Sequence, residues 1–96
     1  MVEELGACNM ERILNYIGGE LIEPQSGEYL ENIEPATGKV YGEIPDSAQQ
    51  DVEAAVQSAD KAFPAWSDTS REERSRIMLK IADLIDENLD MLSMAE

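Results

Sequence analysis

Apolar and polar residues follow two periods along this chain, and the change comes at Pro45. Before it the period is close to two. Tyr16-Ile17 and Leu21-Ile22 flank Gly18-Gly19, a dipeptide that takes positive φ without strain, so a tight hairpin is predicted there. Tyr29, Glu31 and Ile33 alternate with Leu30, Asn32 and Glu34 in a weaker version of the same pattern. Pro35-Ala36-Thr37-Gly38 predicts a second turn, with Pro35 pre-setting φ and Gly38 suited to a left-handed position. Val40, Gly42 and Ile44 alternate with Tyr41 and Glu43 until Pro45 stops the strand. Residues 15–45 are expected to be strands and turns.

Residues 46–96 are expected to be helical. Ser47 and Gln50 make an S-x-x-Q capping pattern, after which Val52, Ala55, Val56, Ala59 and Ala62 fall on one face at helical spacing. Pro64 is predicted to end this helix, because a proline disfavours helical geometry at the residue before it. Ser70 and Glu73 form a second capping box, S-x-x-E, and place an acid where the helix dipole favours one. Ile77, Met78, Ile81, Leu84, Ile85, Leu89 and Leu92 continue the apolar stripe, with Asp86-Glu87-Asn88 a candidate break. Ala62-Phe63-Pro64-Ala65-Trp66 reads as a helix end whose aromatics pack under the next turn.

Residues 1–14 are expected to be an irregular lead-in, with a helical turn at Met10–Leu14 as the alternative and Met10 a candidate second start. As it stands the chain is α+β, a β-hairpin meander followed by two amphipathic helices. Both helical stripes need a surface to pack on, and hairpins alone are thin. The last helix also reaches Glu96 without a glycine, proline or cap to stop it, so the chain is expected to be a piece of a larger fold.

Composition narrows the chemistry. Ninety-six residues allow one small domain, and the net charge of −14 comes from 21 acids against 7 bases. Residues 1–60 hold most of the acids against only Arg12 and Lys39, the opposite of a phosphate-binding footprint. Nucleic acid and anionic membrane surfaces are therefore not expected partners. The start of the chain is acidic where a signal peptide would be basic, and no apolar run approaches a membrane span, so a cytoplasmic location is expected.

No constellation survives comparison with its bland alternative. Cys8 is the one thiol; with no histidine in the chain and acids around it, it is expected to be inert. Glu3-Glu4, Glu72-Glu73 and Asp86-Glu87 are adjacent pairs that diverge on a helix, and D-x-D-x-D-G spacing is absent. Gly18-Gly19 lies between two strands rather than a strand and a helix, which makes it a turn and no phosphate cradle. Catalytic, cofactor-binding and metal residues are all assigned to none.

The order of the pieces nevertheless resembles the start of the aldehyde dehydrogenase superfamily, from about Asn15 to Glu96. Tyr16-Ile17-Gly18-Gly19-Glu20 looks like its opening strand and turn, and Glu34-Pro35-Ala36-Thr37-Gly38-Lys39-Val40 like its N-P-A-T-G-x-V turn. Asp51-Val52-Glu53-Ala54-Ala55-Val56 resembles its D-V-x-x-A-V helix, and Ala62-Phe63-Pro64-Ala65-Trp66 its A-F-x-x-W element. Glu73-Arg74, Ile77, Leu79 and Ile81-Ala82-Asp83-Leu84-Ile85 are similar to its E-R-x-x-I-L-x-x-x-A-D-L-I helix. Each motif is weak alone; five in order are strong. Glu34 departs from the family's usual asparagine. Asn32 and Ile33 would correspond to residues near that turn whose carbonyls join a monovalent-cation site, whose remaining members would lie beyond this chain.

The resemblance implies the N-terminal part of an α/β cofactor-binding domain, in an enzyme that oxidises an aldehyde to a carboxylic acid with NAD or NADP. In that family a cysteine attacks the aldehyde, hydride passes to the nicotinamide and a glutamate activates water. All of those residues would lie downstream, and Cys8 precedes the matched region. The implied partner is the rest of the dehydrogenase fold, in a parent expected to be a homo-oligomer. Pro45-Asp46-Ser47 and Glu73-Arg74-Ser75-Arg76 look most like dehydrogenases of muconic semialdehydes. Two functions are expected to compete: an N-terminal fragment of such an enzyme, inactive alone, or a non-catalytic module docking through Ile77, Ile81, Leu84 and Ile85 onto a full-length paralogue.

Overall fold

The computed structural model describes residues 11–96. Cys8 and the candidate start Met10 lie outside the described residues. The elements run β1 (Glu11–Arg12), β2 (Asn15–Ile17), β3 (Glu20–Ile22), β4 (Tyr29–Glu34), β5 (Lys39–Pro45), α1 (Gln49–Ser67), α2 (Arg71–Glu87) and α3 (Leu89–Ala95). The meander and the helices therefore follow one another as the two periods predict. Residues up to Ala62 form one compact unit and Phe63–Glu96 another.

In the first unit β2 and β3 pair antiparallel across Gly18 and Gly19, at φ 63° and 83°. Positive φ at both central residues is the requirement of a type I′ hairpin turn, and glycine meets it at no steric cost. The other sheet has the order β1-β5-β4. Its β4–β5 turn is held at one end by Glu34, whose carbonyl accepts from the amides of Thr37 (3.3 Å) and Gly38 (2.8 Å). The Glu34 carboxylate accepts from the Thr37 hydroxyl at 2.8 Å. Thus Glu34 supplies both a backbone and a side-chain acceptor to its turn.

Two features of this sheet differ from the expectation. Glu11–Arg12, assigned to an irregular lead-in or a helical turn, is a strand parallel to β5, with Glu11 opposite Gly42 and Arg12 opposite Glu43. A Cβ at position 42 would sit 2.5 Å from the Glu11 carbonyl oxygen, so β1 reaches β5 only because that residue is glycine. The Ile13 amide extends the pairing by donating to Glu43 O at 2.9 Å. Second, β4–β5 pairing slips between Asn32, opposite Gly42, and Ile33, opposite Val40, which leaves Tyr41 as an extra residue. That bulge interrupts the even alternation of Val40, Gly42 and Ile44.

The helices also differ in detail. Pro64 does not end α1, which runs on to Ser67. The proline removes the bond that the Asp60 carbonyl would accept from position 64, yet its fixed φ is helical, and one further turn forms before the helix stops. The hydroxyl of Ser67 donates back to Pro64 O at 2.9 Å and that of Thr69 to Ala65 O at 3.2 Å, covering the carbonyls of that final turn. Ser70 caps α2 as its pattern predicts, accepting from the Glu73 amide at 3.1 Å. The candidate break at Asp86-Glu87-Asn88 does divide the apolar stripe into two helices at Asn88, whose side-chain amide donates to Leu84 O at 2.8 Å.

Among the described residues only Pro24, Gly42 and Asp51 are buried, and no apolar side chain heavier than proline joins them. Val52, Leu79, Leu84 and Leu92 all stand in water. Without apolar burial, little offsets a conformational entropy cost of roughly 1–2 kcal/mol per residue. Heating the 96-residue chain is therefore expected to give a broad, weakly cooperative loss of helical circular dichroism and strong binding of a hydrophobic dye. A sharp two-state transition would show the expectation to be wrong. At the sheet, Gly42→Ala is expected to detach β1: amide exchange at Ile13 accelerates, while exchange along β4 is unchanged.

Candidate functional site

Among the described residues the one buried charged group is the carboxylate of Asp51, which is 3% exposed. It lies in the first turn of α1, where unpaired amides and the helix dipole favour an anion. One oxygen, Oδ2, accepts from the Ala48 amide at 3.0 Å, and Oδ1 accepts from the Gln25 amide at 3.0 Å. The first bond closes the helix start and the second fastens the turn between β3 and β4 to it. Pro24, buried beside that turn, has no N–H of its own to satisfy.

This arrangement replaces the expected Ser47–Gln50 capping box. The helix begins one residue later than that box requires, so Asp51 takes the position from which a side chain reaches back to the cap amide. Ser47 is free for another task. Its hydroxyl accepts from Asn15 Nδ2 at 2.8 Å and donates to Asn15 Oδ1 at 3.1 Å, which joins the start of β2 to the approach of α1. An aspartate three residues past an alanine is a usable signal for such a cap, but Ser47 competes for it in the sequence.

Beside this clamp the β2–β3 hairpin and α1 frame a shallow, open groove with Tyr16, Ile17 and Gly18 on one side and Ala55, Ser58 and Ala59 on the other. The small residues of the helix stripe let the backbone of the hairpin come close: a Cβ on Gly18 would stand 3.4 Å from Ser58 Oγ. The groove's polar side chains are those of Tyr16, Ser58 and Lys61, with no histidine or carboxylate in its lining, and Lys61 at its rim is its one charged group.

The remaining charged cluster is on the sheet. Arg12 donates to Glu43 through Nε at 2.9 Å and pairs with it through Nη2 at 2.8 Å, while its guanidinium lies 4.1 Å from the centre of the Tyr29 ring. The bond to Glu43 raises the Arg12 pKa above its ordinary value. Loss of solvent raises that of the Tyr29 phenol, and nearby Glu23, which accepts its hydroxyl at 3.4 Å, adds to the shift. In the second unit Arg74 donates to Trp66 O (3.2 Å) and Ser67 O (3.0 Å), with its guanidinium 5.6 Å from the indole centre. It thereby supplies donors to the end of α1 and covers Trp66. Phe63, expected to pack beneath the same turn, is 65% exposed because no side chain among the described residues covers it.

The acids are spread, and among the described residues no three of His, Cys, Asp and Glu gather as a metal site. Asn32 and Ile33 lie on β4 opposite the bulge in β5, with the Asn32 amide donating to the Tyr41 hydroxyl at 3.0 Å. No helix among the described residues is long and apolar enough to cross a membrane.

Against known proteins, residues 21–96 match the aldehyde dehydrogenase family. The chain belongs to that family. It is 46% identical over 86 residues to an aldehyde dehydrogenase of Deinococcus radiodurans, across 90% of this chain and 17% of that protein. With the 2-aminomuconic semialdehyde dehydrogenase of Bos taurus it shares 43% identity over 82 residues, 85% of this chain and 16% of that one. The crystal structure of an NAD-dependent aldehyde dehydrogenase from Sinorhizobium meliloti superposes with a TM-score of 0.85 at 34% identity, covering 95% of this chain and 18% of that one. The chain thus spans about a sixth of the length of the curated relatives it matches, and its meander and helices are the N-terminal segment of their fold.

Two outcomes follow from the clamp and the cluster. Asp51→Ala strands two amides whose loss of partner costs about 1–2 kcal/mol; the expected result is amide exchange at Gln25 and Ala48 faster by roughly tenfold, with exchange in α2 unaltered. For Tyr29 the folded state favours the neutral phenol, so its contribution to stability is complete below the ordinary pKa of about 10 and is lost as pH rises through the raised value. Alkaline difference spectroscopy should show one tyrosinate forming late, and Glu23→Gln should bring that step to lower pH.

Proposed function

We propose that this chain is the N-terminal scaffold of a longer NAD(P)-dependent dehydrogenase that oxidises an aldehyde to a carboxylic acid, and that it has no activity of its own. The observation that carries the reading is the family match over residues 21–96. Its support from chemistry is that the groove beside α1 is lined by no histidine or carboxylate, and that the chain as a whole carries 21 acids against 7 bases, a poor surface for phosphate. Catalytic groups and cofactor contacts then belong to the larger part of the protein. The role of this segment is to set the path of the β2–β3 hairpin and α1 through Asp51 and Ser47, and to offer apolar helix faces to the rest of the dehydrogenase.

The parent enzyme is proposed to be cytoplasmic and a homo-oligomer, binding neither nucleic acid nor membrane. A semialdehyde of the muconic type is its proposed substrate, on the likeness to the bovine enzyme. A second reading draws on the exposed stripe of Ile77 (38%), Ile81 (45%), Leu84 (43%) and Ile85 (47%): a non-catalytic module that docks on a full-length paralogue. Both readings make that stripe an interface and differ in whether the covering surface is on the same polypeptide.

The deciding experiment compares the pure 96-residue chain with the product of the reading frame extended through a relative's full length. With a semialdehyde and NAD or NADP, only the longer protein is expected to produce reduced nicotinamide. Nicotinamide reduction by the short chain would overturn the proposal, as would a longer protein that folds but oxidises no aldehyde. Co-elution of the short chain with dehydrogenase subunits would favour the docking reading.

A further inference from the structure

We draw no further inference here: the strongest candidate, the unpartnered apolar face that Ile77, Ile81, Leu84 and Ile85 form on α2, carries nothing beyond the reading above because nothing in the structure shows what covers it.

Discussion

The first compact unit depends on one buried carboxylate. Among the described residues Asp51 has no cationic partner; its two oxygens are satisfied by two backbone amides instead. Burying an ionised group without such bonds would be costly. Bonds from amides to a carboxylate are about twice as strong as neutral ones, and the start of a helix adds the favourable end of its dipole. The consequence is positional. Because one oxygen takes the cap amide of α1 and the other an amide of the β3–β4 turn, the place where the chain changes from strand to helix is tied to a residue more than twenty positions earlier. Ser47, released from capping, ties the start of β2 to the same corner.

Polar fastening of this kind recurs where an apolar core would ordinarily act. On the sheet it is the Arg12–Glu43 pair stacked on Tyr29, set beside a glycine that lets two backbones meet. At the end of α1 it is Arg74, which reaches back to two carbonyls. Exposed pairs such as Arg12–Glu43 contribute at most about 1 kcal/mol each, so they define geometry more than they supply stability. Local bonds thus shape the segment, while its large apolar side chains stay in water. The relatives it matches are about six times longer, and under the proposed reading most of the apolar contacts of such a fold would be made with the length this chain does not span.

Periodicity made the broad plan legible. The change of period at Pro45, the two-glycine turn and the Ser70 cap all depend on residues within one turn or one hairpin, where propensity and spacing carry the information. What escaped was long-range or a matter of degree. Two residues cannot display alternation, so β1 was invisible until Gly42 was seen against Glu11. The bulge at Tyr41 depends on a partner strand, and the choice of Asp51 over Ser47 depends on the Gln25 amide, 26 residues away in sequence. Pro64 shows the limit of a local rule: a bias against helix at the preceding residue delays to a full turn when the proline's own φ already fits.

The candidate site was legible in a different sense. From spacing no nucleophile–base pair, metal cluster or phosphate loop was expected and no activity could be named, whereas ordered motifs named the family. Those two results constrain each other. A dinucleotide brings phosphates, and a segment with 21 acids and 7 bases is a poor surface to receive them. Under the proposed reading the cofactor's charge must be met by another part of the enzyme, and this segment's acids are best placed towards solvent. Under the same reading the apolar stripe of α2, exposed as it stands, is the face proposed to meet the rest of the fold, because burying it there removes its large side chains from water.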